Sequence, residues 1–241
     1  MTELTGKRAL VTGASRGIGR AIAIALRAQG AEVIGTVGRS RDEALAVEQE
    51  HGVGFIAVDL EASDAAEQVA AEISGDLDIL VNNAGVASFI GWGDNTAAMV
   101  DREFAINVRA PLLLTQKLGP RIRDSGRILF LSSIVAERSF GEGALVAYSA
   151  TKGAVDSMVK QLAGPFGARG ITVNAIAPGA IDTDMSAWLR DEGGAEQAHS
   201  IQALKRVGQA KDVADAIAFF AGDDSRWITG QTIQVGGGTL V

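Results

Sequence analysis

The sequence predicts an α/β protein: a single domain holding a doubly wound parallel sheet of about seven strands, with helices on both faces. Three observations point there. Short apolar runs alternate with longer helical patterns along the whole chain. Those runs are continuously apolar, as in Ile128-Leu129-Phe130-Leu131, which is the pattern of strands covered on both faces. Turn signals recur throughout, with 30 glycines in 241 residues, and no Pro/Ser-rich linker, low-complexity tract or internal repeat divides the chain.

Taken in order, a strand is expected at 8–12, a helix at 17–29 closed by Gly30, and a strand at 32–37. A polar helix at 41–51, a strand at 55–58, a helix at 63–73 and a strand at 77–81 continue the βαβ grammar. A long helix at 97–123 and a strand at 127–131 follow. Next come a helix from Ala147 to about residue 166 and a strand at 171–175. The last elements are a helix at 212–221 and a strand at 231–235.

Composition limits the function. With 22 basic against 29 acidic residues and a net charge of -7, the chain lacks the basic face that phosphate neutralisation requires, so no nucleic-acid partner is expected. There is no cysteine, and the two histidines, His51 and His199, stand far apart, so neither a disulfide nor a metal site is expected. Residues 1–13 lack a basic segment leading into an apolar run, and no stretch approaches the roughly 18 apolar residues of a membrane span. The expectation is a soluble cytoplasmic protein acting on a small molecule, without a membrane partner.

The chain's only tyrosine, Tyr148, precedes Lys152 by four residues, which puts both on one face of a helix. An ammonium beside a phenol favours the phenolate, and a phenol that ordinarily ionises near ~10 becomes a proton donor and acceptor for neutral pH. Directly after the first strand stands Thr12-Gly13-Ala14-Ser15-Arg16-Gly17-Ile18-Gly19, with a helix opening from it. Glycines allow close backbone approach there, and the free amides and positive dipole end of the helix attract a pyrophosphate.

This glycine spacing departs from G-x-G-x-x-G. Together with Asp59, Asn82-Asn83-Ala84-Gly85, Asn107, Ser133, Tyr148, Lys152, Pro178-Gly179 and Thr183 in that order, it resembles the pattern of classical short-chain dehydrogenases/reductases along essentially the whole chain. The resemblance implies a single-domain Rossmann fold over residues 1–241 that binds a dinucleotide. Gly13, Ser15, Arg16, Gly17, Ile18 and Gly19 would hold the phosphates. Asp59, with Leu60 beside it, would meet the adenine, Asn83, Ala84 and Gly85 the adenosine ribose region, and Pro178, Gly179, Ile181 and Thr183 the nicotinamide end.

The end of the second strand, Val37-Gly38-Arg39-Ser40, carries no carboxylate to bind ribose hydroxyls. Arg39 and Ser40, with Arg16, suit instead an extra phosphate of charge about -2, so NADP(H) is expected over NAD(H).

The resemblance also implies roles for the catalytic set. Tyr148 would exchange a proton with the substrate oxygen, Lys152 would lower the phenol's pKa and hold the nicotinamide ribose, and Ser133 would polarise the carbonyl. Neighbouring strand residues face opposite ways, so only one of Ser132 and Ser133 can face the site, and the resemblance selects the second. Asn107 would hold a water through its backbone. Pro111, four residues on, has no N–H, so the Asn107 carbonyl should lose its helical partner.

Between Ser133 and Tyr148 the stretch containing Glu137, Arg138, Phe140 and Glu142 is slightly longer than is common in the family. Phe89, Trp92 and Phe140 could wall an apolar pocket, and 184–207 resembles a mobile substrate lid carrying Met185, Trp188 and Leu189, with Gly193-Gly194 allowing motion.

The leading reading is an NADPH-dependent oxidoreductase that reduces a ketone or aldehyde reversibly. A 3-oxoacyl-carrier-protein reductase is the alternative carried by 12–19, 173–179 and 228–231, although the excess of acids does not favour an acidic carrier protein as partner. A nucleotide-binding regulator on the same fold is the reading of another class. A homotetramer or homodimer is expected, with Ala150, Gly153, Ala154 and Ser157 offering small residues for helix packing.

Overall fold

A computed structural model of the chain describes residues 3–38, 40–139 and 143–239. Its elements begin with β1 (Arg8–Val11), α1 (Gly17–Ala28), β2 (Glu32–Val37), α2 (Arg41–His51), β3 (Gly54–Ala57), α3 (Ala65–Glu72) and β4 (Leu77–Asn82). Then come α4 (Ala97–Phe104), a π-helical turn (Ala105–Arg109), α5 (Ala110–Leu118), β5 (Ile122–Leu131), α6 (Val146–Gly167) and β6 (Thr172–Pro178). The chain closes with β7 (Ile181–Asp182), α7 (Gly194–Ile201), β8 (Gly208–Gln209), α8 (Ala210–Ala221) and β9 (Thr232–Val235).

Seven strands form one sheet in the order β3-β2-β1-β4-β5-β6-β9, every neighbouring pair parallel. The continuous apolar runs have a direct cause. Ala9, Val11, Ile79, Val81, Leu129 and Leu131 face a core shared with α1 and α8. Leu10, Leu80, Ile128, Phe130, Val173 and Ala175 face a second core shared with α3, α5 and α6. Successive side chains therefore alternate between two dry layers, and a polar side chain such as Asn174 is tolerated there because its amide donates to the Ile228 carbonyl and accepts the Gln231 N–H.

Strand order runs outward from β1 to β3 on one side and from β4 to β9 on the other. The chain's direction of winding therefore reverses between β1 and β4, which makes the carboxyl edge of those two strands the switch point of the sheet.

Two expectations need correction. The long helix at 97–123 is interrupted by the π-helical turn and ends at Leu118. Gly119-Pro120 stops it, because proline lacks an N–H and disfavours helical torsions in the residue before it. Strand β5 then begins at Ile122, five residues earlier than expected, and its pairing with β4 shifts register between Leu77 and Ile79. The small parallel pair β7 and β8 was also missed, since two-residue strands carry no readable periodicity.

Residues 184–207 form a kinked 3-10 segment (Asp184–Arg190) and α7. Gly193, at φ 80°, starts α7 in the left-handed region, and a Cβ on Gly194 would stand 2.1 Å from the Trp188 carbonyl oxygen. Close packing, in addition to torsional freedom, therefore accounts for this glycine pair.

Candidate active site

The glycine loop after β1 is held by a buried polar network. Thr12 Oγ1 accepts from the backbone N–H groups of Asn83 and Ala84, each at 3.0 Å, so the loops after β1 and β4 share one hydroxyl. Asn83 Nδ2 donates to the carbonyls of Thr12 at 2.8 Å and Gly13 at 3.2 Å, and Gly13 N–H donates to Thr36 Oγ1 at 3.1 Å. A Cβ on Gly19 would lie 2.1 Å from the Gly13 oxygen, so only glycine fits where α1 crosses the loop.

Helix α1 starts at Gly17 with no side chain capping it. A helix start without a side-chain acceptor, approached by glycines, fits a pyrophosphate. Ser15 is buried within the loop, and Thr183 reaches its other side: a Cβ on Gly17 would meet the Thr183 methyl at 3.6 Å. Pro178 closes β6, and Gly179 lies against Gly236 so tightly that a Cβ would stand 2.7 Å from its Cα.

The remaining cofactor candidates differ in exposure. Asp59 is exposed, and its carboxylate accepts the Glu61 N–H at 3.0 Å. Leu60 and Ile181 turn their side chains into the apolar cores, and Ile18 packs against one of them, so Leu60 and Ile181 have only main-chain atoms left for a ligand. Arg16 is exposed and pairs with Asp184 at 3.5 Å. Ser40 precedes α2, and Arg39 lies outside the described residues, as do Phe140 and Glu142. Phe89 and Trp92 are exposed, and Trp92 stands over the start of α6, where a Cβ on Gly143 would meet its Cβ at 3.3 Å.

The four catalytic candidates converge at the same edge. Asn107, inside the π-helical turn, is pinned by its side chain: Oδ1 accepts the Val86 N–H at 2.9 Å, while Nδ2 donates to the Val86 carbonyl at 2.8 Å and to Thr151 Oγ1 at 3.0 Å. Lys152 is buried, and its Nζ donates to the Leu131 carbonyl at 2.6 Å and lies 5.5 Å from the Tyr148 ring centroid. Gly85 lies against both, since a Cβ there would be 3.3 Å from Asn107 Oδ1 and 3.6 Å from Lys152 Nζ.

Ser133 Oγ accepts the Val135 N–H at 3.4 Å, and while burial raises the Tyr148 phenol, the Ser133 hydroxyl draws it back down. Ser132 points the other way, to the Lys152 carbonyl at 3.4 Å and to the Asp156 carboxyl, which also accepts from Thr232 Oγ1 at 3.0 Å. The strand-end turn is locked to α6 by Ser149 Oγ, which donates to the Val135 carbonyl at 2.7 Å.

Sequence reasoning missed Thr12 and Glu103. Glu103 is buried at the end of α4 and raises the pKa of Tyr148. Its signal was present, a carboxylate four residues before Asn107 and so on the same helix face.

Comparison with known proteins decides the family. A model described as enoyl-(acyl carrier protein) reductase matches residues 13–239. A 3-oxoacyl-[acyl-carrier-protein] reductase of Escherichia coli K12 is 39% identical over 246 residues, covering 97% of each chain. The chain belongs to the short-chain dehydrogenase/reductase family. The cyclic-di-GMP-binding biofilm dispersal mediator protein of the same strain is 38% identical over 240 residues, covering 98% of each chain. Among solved structures, a short-chain dehydrogenase from Burkholderia cenocepacia J2315 in complex with NADP matches with a TM-score of 0.92 at 37% identity, covering 98% of both chains.

In this short-chain dehydrogenase/reductase burial is the largest influence on both members of the pair. The Tyr148 ring keeps some solvent-facing area, yet burial pushes its phenol up to about 12, with the Ser133 hydrogen bond working against that shift and the Glu103 charge reinforcing it. Burial pulls Lys152 down to about 8, against the attraction of Asp156, so its own ammonium is disfavoured at the site.

The lysine makes stability depend on pH. The folded protein releases the Lys152 proton near 8, whereas the unfolded chain holds it to the ordinary 10.5. Across that window the unfolded state binds more protons, so this group adds stability as pH rises. Tyr148 acts oppositely, because the folded state keeps a proton between 10 and about 12 that the unfolded chain gives up, and stability falls there. Lys152→Met should therefore flatten the rise of Tm between about pH 8 and about pH 10 relative to wild type. Thermal melts across that range check it, and parallel curves for the two proteins would refute it.

Proposed function

We propose that this protein is an NADPH-dependent reductase converting a ketone or aldehyde to an alcohol, reversibly. The observation that carries the reading is the convergence of Ser133 on the Tyr148 phenol, with the Lys152 ammonium and Asn107 meeting at Gly85 beside a glycine loop fit for pyrophosphate. When bound, the reduced nicotinamide supplies the hydride that adds to the carbonyl carbon.

Tyr148 gives its proton to the carbonyl oxygen as the C=O electron pair moves onto that oxygen. Ser133 donates a hydrogen bond to the same oxygen and steadies its growing charge. Lys152, anchored on the Leu131 carbonyl, holds the ribose and stabilises the phenolate left behind. The Asn107 backbone carbonyl, facing Pro111 where an N–H donor would normally stand, holds a water through which the phenolate regains a proton. The segment 184–207 acts as a lid over the substrate, and the outward face of α6, with Ala150 and Gly153 exposed, serves association into a dimer or tetramer.

The test is NADPH oxidation across acetoacetyl thioesters, diketones, ketosugars and aromatic ketones. Turnover of thioesters would place the substrate in fatty-acyl chemistry, in line with the Escherichia coli reductase. Turnover confined to small carbonyls would favour a general reductase.

Cofactor choice gives a separate prediction. NADPH should be used more efficiently than NADH, and Arg16→Ala should lower kcat/KM for NADPH by about tenfold, the worth of one charge-assisted phosphate contact, while leaving NADH nearly unchanged. Steady-state kinetics with both cofactors check it, and NADH turnover equal to NADPH turnover in the wild type would refute the preference.

Likeness to the cyclic-di-GMP-binding protein supports a second reading, a nucleotide-binding regulator. A phenol paired with a buried lysine is more than binding requires. Retention of biological effect in Tyr148→Phe would nevertheless favour that reading.

A further inference from the structure

The glycine loop and the root of the 184–207 segment are tied together by charge, and the reaction above does not use that tie. Asp184 opens the 3-10 segment and divides its carboxylate between two arginines: Oδ2 stands 3.5 Å from the Arg16 guanidinium, and Oδ1 stands 3.8 Å from that of Arg190. Arg190 also donates from Nε to Asp182 Oδ1 at 2.9 Å. The two segments meet at this point through their neighbours as well. Gly17 follows Arg16 and Thr183 precedes Asp184, and a Cβ on Gly17 would lie 3.6 Å from the Thr183 methyl.

Arg16 stands one residue before the uncapped start of α1, where the phosphates of a dinucleotide would lie. Its pairing with Asp184 is easily broken, because the two side chains are 62% and 65% exposed and water screens their attraction. A phosphate monoester carries a charge of about -2 and three acceptor oxygens, whereas a carboxylate carries a single charge. A guanidinium offered both prefers the phosphate. Arg190 keeps Asp184 paired once Arg16 has turned away.

We propose that Asp184 is a specificity-determining residue whose carboxylate competes with the 2′-phosphate of NADP(H) for Arg16. To bind the phosphorylated cofactor, Arg16 must leave Asp184. To bind NAD(H), which lacks that phosphate, it need not. Asp184 therefore narrows the preference for NADP(H) that Arg16 confers. The inference rests on Arg16 being a contact for the 2′-phosphate, and the experiment examines that premise separately.

The test is calorimetric titration, without turnover, of wild type, Asp184→Asn, Arg16→Ala and the double variant. The ligands are adenosine 2′,5′-bisphosphate, which carries the 2′-phosphate but no nicotinamide, and adenosine 5′-monophosphate, which lacks it. Asp184→Asn keeps the side chain's shape and removes its charge. It should bind the bisphosphate about two- to fivefold more tightly than wild type, the usual strength of one exposed ion pair, and the monophosphate about as wild type does. In the Arg16→Ala background the same change should leave bisphosphate affinity nearly unaltered, which shows that the effect passes through Arg16.

Equal bisphosphate affinity in Asp184→Asn and wild type would overturn the proposal. So would weaker binding, which would mean that Asp184 holds Arg16 in place for the phosphate. A gain of equal size for both nucleotides, or one that persists without Arg16, would also overturn it, because the cause would then be the general loss of a negative charge. Arg16→Ala decides the premise. If that variant loses the preference for the bisphosphate while Asp184→Asn changes nothing, the role of Arg16 stands and the competition falls; if the preference survives in Arg16→Ala, both fall.

Discussion

Tyr148→Phe is expected to lower kcat for carbonyl reduction by about 10²–10⁴-fold, the usual contribution of a positioned acid or base, with NADPH still bound. The change deletes one hydroxyl and leaves the ring that lies beside Lys152. Ser133 keeps its place on the strand-end turn locked to α6, so the carbonyl still meets one donor and some turnover should persist. No other tyrosine exists in the chain to take over. Steady-state NADPH oxidation and fluorescence titration of NADPH together check the split between chemistry and binding. Wild-type turnover in the variant would remove Tyr148 from the mechanism.

Gly19→Ala should cost about 3 kcal/mol or more and lower Tm by roughly 6–12 °C, with weaker NADPH binding. Alanine suits a helix better than glycine by about 1 kcal/mol, so propensity alone would predict the opposite sign. The clash decides, since the new methyl would stand 2.1 Å from the Gly13 oxygen and 2.4 Å from Asn83 Nδ2. Both atoms belong to the network that shapes the phosphate loop, and neither can move without releasing the Asn83 bonds to Thr12 and Gly13. Gly167→Ala is the control, because a Cβ there, at the end of α6, meets nothing within 4 Å and should leave stability unchanged or slightly raised. Thermal melts of the two variants decide the matter, and equal Tm values would refute the close-approach account of Gly19.

Much of the fold was legible because its signals are local. Helix α2 occupies 41–51 and β2 occupies 32–37, as expected from the residues, and the strands betray their double burial in apolar runs such as Ile79-Leu80-Val81 and Ile128-Leu129-Phe130-Leu131. The break in the 97–123 helix was also written locally, in Gly119-Pro120, but the apolar pattern running across it masked the stop. Strand order was not legible, because crossovers of similar length permit several neighbours for each strand.

At the site, Tyr148, Lys152 and the glycine loop could be read because their geometry is set within a few residues, by the i to i+4 spacing of a helix and the torsional freedom of glycine. What only the tertiary structure decided was the chemistry imposed from elsewhere: that Ser133 and not Ser132 bears on the phenol, and that Thr12 ties two loops together. Burial and charge act through distances between segments remote in sequence, so the packing that raises the Tyr148 phenol and pulls Lys152 down is invisible in the i to i+4 spacing that pairs them.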